Sequence, residues 1–123
     1  MKVYYAHCLA IYNTPQERRD CETLDALGFE VLNPNHPVHD HAVAEMKRAG
    51  KTDYMDYFTG LVSRCDAVAF RALPDGRVPS GVALEIDVAR QLGKPVFELP
   101  SGIRARCIDV AVTREYLAEV GQR

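Results

Sequence analysis

The chain has 123 residues, 47% of them apolar and 26% charged, with a formal net charge of −2. That length supports one hydrophobic core, so residues 1–123 are expected to form a single domain, and the composition excludes a disordered tail. Acids and bases are interspersed, which excludes the basic stripe of a protein that grips DNA or RNA polymers.

Lys2 to Ala6 is short, apolar and rich in strand formers, and predicts a first strand. TPQE at residues 14 to 17 offers a capping box, with Thr14 as N-cap, Pro15 at the first helical position and Glu17 at the third. A helix follows, with Cys21, Leu24 and Leu27 at helical spacing and Gly28 placed to end it. FEVL (29 to 32) is a second strand, cut off by the turn residues NPNHP. From His36 to Gly50 the pattern supports one short helix around Val43 to Arg48. A clearer helix starts near Thr52 or Asp53, carrying Met55, Phe58, Val62 and Cys65 on one stripe despite Gly60.

DAVAF (66 to 70) is a third strand whose lack of polar alternation suggests burial on both faces. After the loop LPDGRVPSG, Ser80 to Leu92 reads as a helix closed by Gly93, and PVFEL as a fourth strand. Arg106 to Val112 is expected to be a fifth strand, and Thr113 to Val120 a last helix. Strands alternating with helices give an α/β domain: a flavodoxin- or Rossmann-like, mostly parallel sheet of four to five strands with helices on both faces.

The opening MKVYYAHCLAIY lacks a small-residue cleavage site, and no stretch approaches the roughly 20 apolar residues of a membrane helix. Cys8, Cys21, Cys65 and Cys107 are widely spaced and fit reduced thiols. The expectation is a cytoplasmic protein with no membrane partner.

Ligands of such sheets bind outside the carboxyl ends of the strands. That rule gathers Tyr4 or Tyr5, His7, Asp56, Ser80 and Glu85 at one edge, and sends Asp66, which begins a strand, to the other. Glu85 is the odd residue of the set. On a helix, its neighbours three and four positions away are Gly81, Val82, Val88 and Ala89, none of them polar, whereas Asp87 faces Arg90 and Gln91. The helix dipole favours the ionised form and apolar burial the neutral one, so sequence leaves the net sign open. An ionised, poorly hydrated carboxylate is a nucleophile, and a neutral one is a general acid. A Glu satisfied by a backbone N–H or a distant Arg is the structural alternative.

The motifs KVYYA, CDAVAF, Gly81 to Glu85 and GKPVF, in that order, resemble the nucleoside 2-deoxyribosyltransferase family, whose members include deoxynucleoside monophosphate N-hydrolases. The resemblance spans most of residues 1 to 100. It implies that Glu85 attacks C1′ of the sugar and displaces the base through a glycosyl-enzyme ester, as in retaining glycosidases. It implies that Tyr4 orients Glu85, with Tyr5 as the alternative register. Asp56 then contacts the departing base or shuttles its proton, and Ser80 and Gly81 cradle the sugar or its 5′ substituent. It also implies a homo-oligomer, a dimer or larger, a nucleoside or nucleotide as small-molecule partner, and no cofactor.

Two departures stand out. Pro79 occupies the position, six residues before Glu85, where the transferases carry an acid, with Asp75 as a possible substitute. The turn HCLAIYN lacks the glycines with which the monophosphate hydrolases bind phosphate. Two further hypotheses compete: a non-catalytic nucleotide-binding domain, and a glycohydrolase of NAD-like dinucleotides.

Tyr54, Tyr57 and Phe58 are candidates to stack on a base, with Tyr54 favoured for the pocket and Phe58 for the core. His36, His39, Asp40 and His41 match no standard zinc spacing, so a polar loop covering the substrate is preferred to a metal site. Cys8 lacks a matched base, because His7 lies on the opposite face of the strand.

Overall fold

The computed structural model describes residues 1–100, 110–119 and 121. KVYYA forms β1 (Lys2–Ala6), buried from Val3 onward. A 3-10 turn at Leu9–Ile11 leads into α1 (Pro15–Ala26). The Thr14 hydroxyl accepts the Glu17 N–H at 3.3 Å, and Pro15 needs no hydrogen-bond acceptor at the first position. Gly28 ends the helix with φ 90°, a conformation that costs glycine little. The capping box is only half formed. The Glu17 carboxylate takes the Asn13 N–H at 3.2 Å, because the Thr14 N–H is already committed to the Ile11 carbonyl.

The remaining elements are β2 (Glu30–Leu32), α2 (Pro37–Arg48), α3 (Tyr54–Ser63), β3 (Ala67–Phe70), α4 (Ser80–Gln91), β4 (Val96–Glu98) and α5 (Val110–Glu119). The region expected to be a polar loop followed by a short helix is instead one helix of 12 residues, α2. His36 Nδ1 accepts the Val38 N–H at 3.2 Å, and Pro37 opens the helix. Histidine is an unusual cap, so the start carried no ordinary signal. The expected fifth strand is corrected in part. Residues 106–109 lie outside the described residues, while Val110 to Val112 belong to α5. β-branched residues favour strands only weakly, and the good helix formers that follow extend the helix back through them.

The sheet is parallel throughout, in the order β2-β1-β3-β4. Its chain order reverses between β1 and β3, which opens a crevice at their carboxyl ends. The domain is α/β, with one core on each face of the sheet. Tyr4, Ala6 and Val68 pack beneath Leu61 and Val62 of α3 and Val82, Ile86 and Ala89 of α4. Val3, Tyr5, Ala67 and Ala69 pack with Leu24 of α1 and Leu99 on the other face. Each large side chain fully buried this way contributes roughly 1.5–3 kcal/mol of transfer free energy. Leu27, expected on the apolar stripe of α1, is exposed because it caps the helix end.

Two charged residues fix the edge away from the crevice. Asp66 accepts the Lys2 N–H at 2.7 Å and returns its own N–H to the Lys2 carbonyl, the structural role its strand position suggested. Lys94 donates to the carbonyls of Val62, Ser63 and Cys65, closing the end of α3. Among the described residues no helix is long and apolar enough to cross a membrane.

Candidate functional site

At the crevice a cavity of about 700 Å³ opens between the end of β1 and helices α2, α3 and α4. β1 supplies Tyr4 to its floor, and the following turn supplies His7, Cys8, Leu9 and Tyr12. Helix α2 turns Asp40, Val43, Ala44 and Lys47 toward it, and α3 turns Tyr54, Met55 and Phe58. Pro79, Gly81, Val82 and Glu85 close it at the start of α4.

The sequence dictates how Glu85 arrives there. Val82, Glu85, Ile86 and Ala89 repeat at i, i+3, i+4 and i+7, the stripe that a surface helix buries. Three of the four meet the sheet. Glu85 meets the cavity, one turn from the helix start, and is 7% exposed. Its Oε2 has no hydrogen-bond partner, and neither has the hydroxyl of Tyr4, which is wholly buried beside it. The phenol acts on the carboxyl electrostatically without closing a normal hydrogen bond. Burial pushes the Glu85 carboxyl up to about 7, with Tyr4 pulling the other way. Burial, then the charge of Glu85, pushes the Tyr4 phenol far above its ordinary value. A buried polar atom left unpaired costs about 1–3 kcal/mol. Both unpaired atoms belong to residues of the same cavity wall.

Tyr12 stands in the same field. Burial, then Glu85, Glu17 and Asp40, pushes its phenol up to about 12. Its ring leans on His7, with centroids 4.7 Å apart. Nothing in the periodicity of the chain marked Tyr12, because it follows a 3-10 turn.

Five expected site residues, Glu85, Tyr4, His7, Tyr54 and Gly81, meet at this cavity, and three do not. Tyr5 follows Tyr4 in a strand and therefore points to the opposite face, where its hydroxyl donates to Asp20 at 2.5 Å. Asp56 lies in the first turn of α3 as expected, but the helix presents Tyr54, Met55 and Phe58 inward and leaves Asp56 exposed. Ser80 is exposed for the same reason, since Gly81, Val82 and Glu85 form the inward side of α4.

His7 reaches the wall with both nitrogens occupied. Nδ1 lies 3.0 Å from the Tyr5 carbonyl, an acceptor, so this nitrogen carries hydrogen. Nε2 lies 2.7 Å from Glu17 Oε2, a contact that needs a proton shared between imidazole and carboxyl. Burial works against the charge of Glu17. Hydrogen bonds from His7, Asn35 and the Asn13 N–H outweigh it and hold the carboxyl below its usual range. Only the face of the imidazole is left for a ligand, and Tyr5 covers one side of it, stacked at 3.8 Å.

A Cβ added to Gly81 would meet Met55 Sδ at 3.7 Å, an ordinary contact, so crowding does not demand glycine there. Pro79 gives the first turn of α4 no side-chain cap, and Pro79 and Gly81 line the cavity wall. Asp75 is exposed and pairs with Arg77 at 2.6 Å, outside the cavity wall. His39 is buried and bonds Tyr57 Oη at 2.6 Å. Burial, then His36, holds it below its usual value. Among the described residues no group of three or more His, Cys, Asp and Glu side chains is placed to hold a metal ion. Cys8, Cys21 and Cys65 are free thiols, and Cys107 lies outside the described residues.

A family model, Domain of unknown function (DUF4406), matches residues 1–98, a span that contains every residue of the cavity wall. No curated protein and no solved structure matches the chain.

Proposed function

The chain belongs to the DUF4406 family, a domain of unknown function, and for it we propose cleavage or transfer at the N-glycosidic bond of a nucleoside or nucleotide, with Glu85 as nucleophile. The observation that carries the reading is the Glu85 carboxyl, buried on an apolar stripe and unpartnered at Oε2, in the wall of the largely apolar cavity. Ligand sites are typically apolar clefts with a few convergent polar groups.

In the first step a Glu85 oxygen bonds C1′ as the C1′–N bond breaks, its electron pair leaving with the base. Water or a second base then bonds C1′, its proton passing to the departed base, and the ester C–O pair returns to Glu85. Tyr4, in β1 beside the carboxyl, limits its orientation by packing against it. Tyr54 and Phe58, in the cavity wall, are the aromatic side chains of α3 available to pack on the base. A cytoplasmic location and a homodimer belong to the same proposal.

The test is base release from nucleosides and their 5′-monophosphates, with ribose and deoxyribose, alone and with a second free base. A nucleophile must be ionised, so kcat/KM is expected to rise with pH through about 7 and level off above it. A profile falling through the same range would assign Glu85 as an acid. Absence of base release or exchange from every member of the panel would remove the proposal.

A further inference from the structure

We propose that Lys47 carries the proton of this reaction: its ammonium protonates the base as it leaves C1′, and the resulting amine takes a proton from the incoming water. The proposal rests on Glu85 as nucleophile and adds the group that serves the leaving side.

A neutral base departs as an anion unless an acid within hydrogen-bond reach protonates it. Asp56, expected beside the departing base, is exposed and outside the wall. Lys47 is in the wall, and its ammonium lies over the Tyr54 ring, 5.6 Å from the centroid. Of the titratable groups in the wall, it is the one the described residues place against an aromatic ring of α3. A base packed on Tyr54 therefore meets this ammonium, and the flexible four-carbon stem lets it follow the edge of the base.

The ammonium is not engaged elsewhere. Asp40, Val43, Ala44 and Lys47 repeat at i, i+3, i+4 and i+7 and form the inward stripe of α2. That spacing sets Asp40 two turns, about 10 Å along the axis, from Lys47, where its field reaches Tyr12. Among the described residues no carboxylate pairs with Lys47, and Glu45 on the same helix meets His41 and Arg48 instead. Nor does Lys47 neutralise Glu85, whose carboxyl is set by burial and Tyr4. Glu85 Oε2, buried and unpartnered in the same wall, is the second, independent polar group of the site.

The other proton carriers are held. Both His7 nitrogens are committed, to the Tyr5 carbonyl and to Glu17. Tyr4 and Tyr12 give up protons less readily than a free phenol.

As the C1′–N bond breaks, its electron pair goes to the base, a Lys47 proton joins it, and the base leaves neutral beside a neutral amine. Water then bonds C1′ and gives its proton to that amine while the ester C–O pair returns to Glu85. Both side chains end as they began.

Lys47 is exposed, so substitutions there leave the fold in place, which thermal melts verify. Base release is measured over the panel of nucleosides and 5′-monophosphates, extended with 7-methylguanosine, for the native chain, Lys47→Met, Lys47→Arg and Asp40→Asn. Lys47→Met is expected to lower kcat/KM by roughly 100-fold or more for every neutral base that the native chain releases. Lys47→Arg, which keeps the charge and holds its proton, does not restore it. 7-Methylguanine is already positive in its nucleoside and departs neutral without a proton, so its loss stays under about tenfold. Unchanged release by Lys47→Met, restoration by Lys47→Arg, an equal loss for 7-methylguanosine, or a loss confined to the 5′-monophosphates would overturn the proposal and leave Glu85 as nucleophile. So would a loss in Asp40→Asn that exceeds the loss in Lys47→Met. Release from no compound by the native chain would overturn both.

Discussion

Glu85→Gln is expected to abolish base release, by a factor on the order of a thousand or more, and in the same protein to raise stability at alkaline pH. The second effect follows from burial. In the unfolded chain the carboxyl titrates at its ordinary 4.5, and in the folded chain at about 7. Below pH 4.5 it is protonated in both states and contributes fully. Between the two values unfolding releases a proton, so stability falls as pH rises, and above about 7 the loss is complete. The displacement from 4.5 to about 7 corresponds to about 3 kcal/mol. Glutamine has the same shape and no charge, so the difference between variant and native protein changes by about that amount between pH 4 and pH 9. Thermal melts at the two pH values read it. Equal differences at both would mean that Glu85 is hydrated and not the group described here. Loss of activity with gain of stability is the signature of a residue held strained for function.

Arg71→Leu is expected to lower stability by about 3–5 kcal/mol, a fall in Tm on the order of 10–20 °C. Arg71 and Asp20 are both almost fully buried. The guanidinium meets the carboxylate twice, Nη2 to Oδ1 at 2.5 Å and Nε to Oδ2 at 2.9 Å, and also donates to the Pro100 carbonyl. Burial opposes the charge on Asp20, but hydrogen bonds from Arg71, Tyr5 and Gln16 prevail and hold its carboxyl below its usual range. Removing the arginine leaves an uncompensated charge beneath the sheet. Replacing both partners, as in Arg71→Leu with Asp20→Leu, removes that charge and is expected to recover most of the loss, because a buried pair is worth little more than apolar packing. In the native protein the Asp20 contribution is present above its unfolded pKa and is lost as pH falls through its depressed folded value.

β1, α1, β3, α4 and the lone carboxylate were legible in the sequence because each rests on local chemistry: Thr14 and Pro15 start a helix, and Gly28 and Gly93 end helices with positive φ. The inward position of Glu85 follows from helical spacing alone. What was not legible depends on partners remote in the chain. Glu17 read as a cap, and its bond to His7 requires the end of β1 to return beside the first turn of α1. The Asp20–Arg71 pair joins residues 51 apart. Asp56 and Ser80 were placed at the correct edge of the sheet and on the wrong side of their helices, because topology fixes the edge and only packing fixes the rotation.

The most direct measurement is the mass of the peptide containing Glu85 after incubation with nucleosides fluorinated at the 2′ carbon. The fluorine destabilises an oxocarbenium-like transition state and slows release of the ester from the enzyme. The expected result is a fluoroglycosyl group on Glu85, formed with stoichiometric base release and absent from Glu85→Gln. Base released in multiple turnovers with that peptide unmodified, or released equally by Glu85→Gln, would contradict nucleophilic attack by this carboxylate.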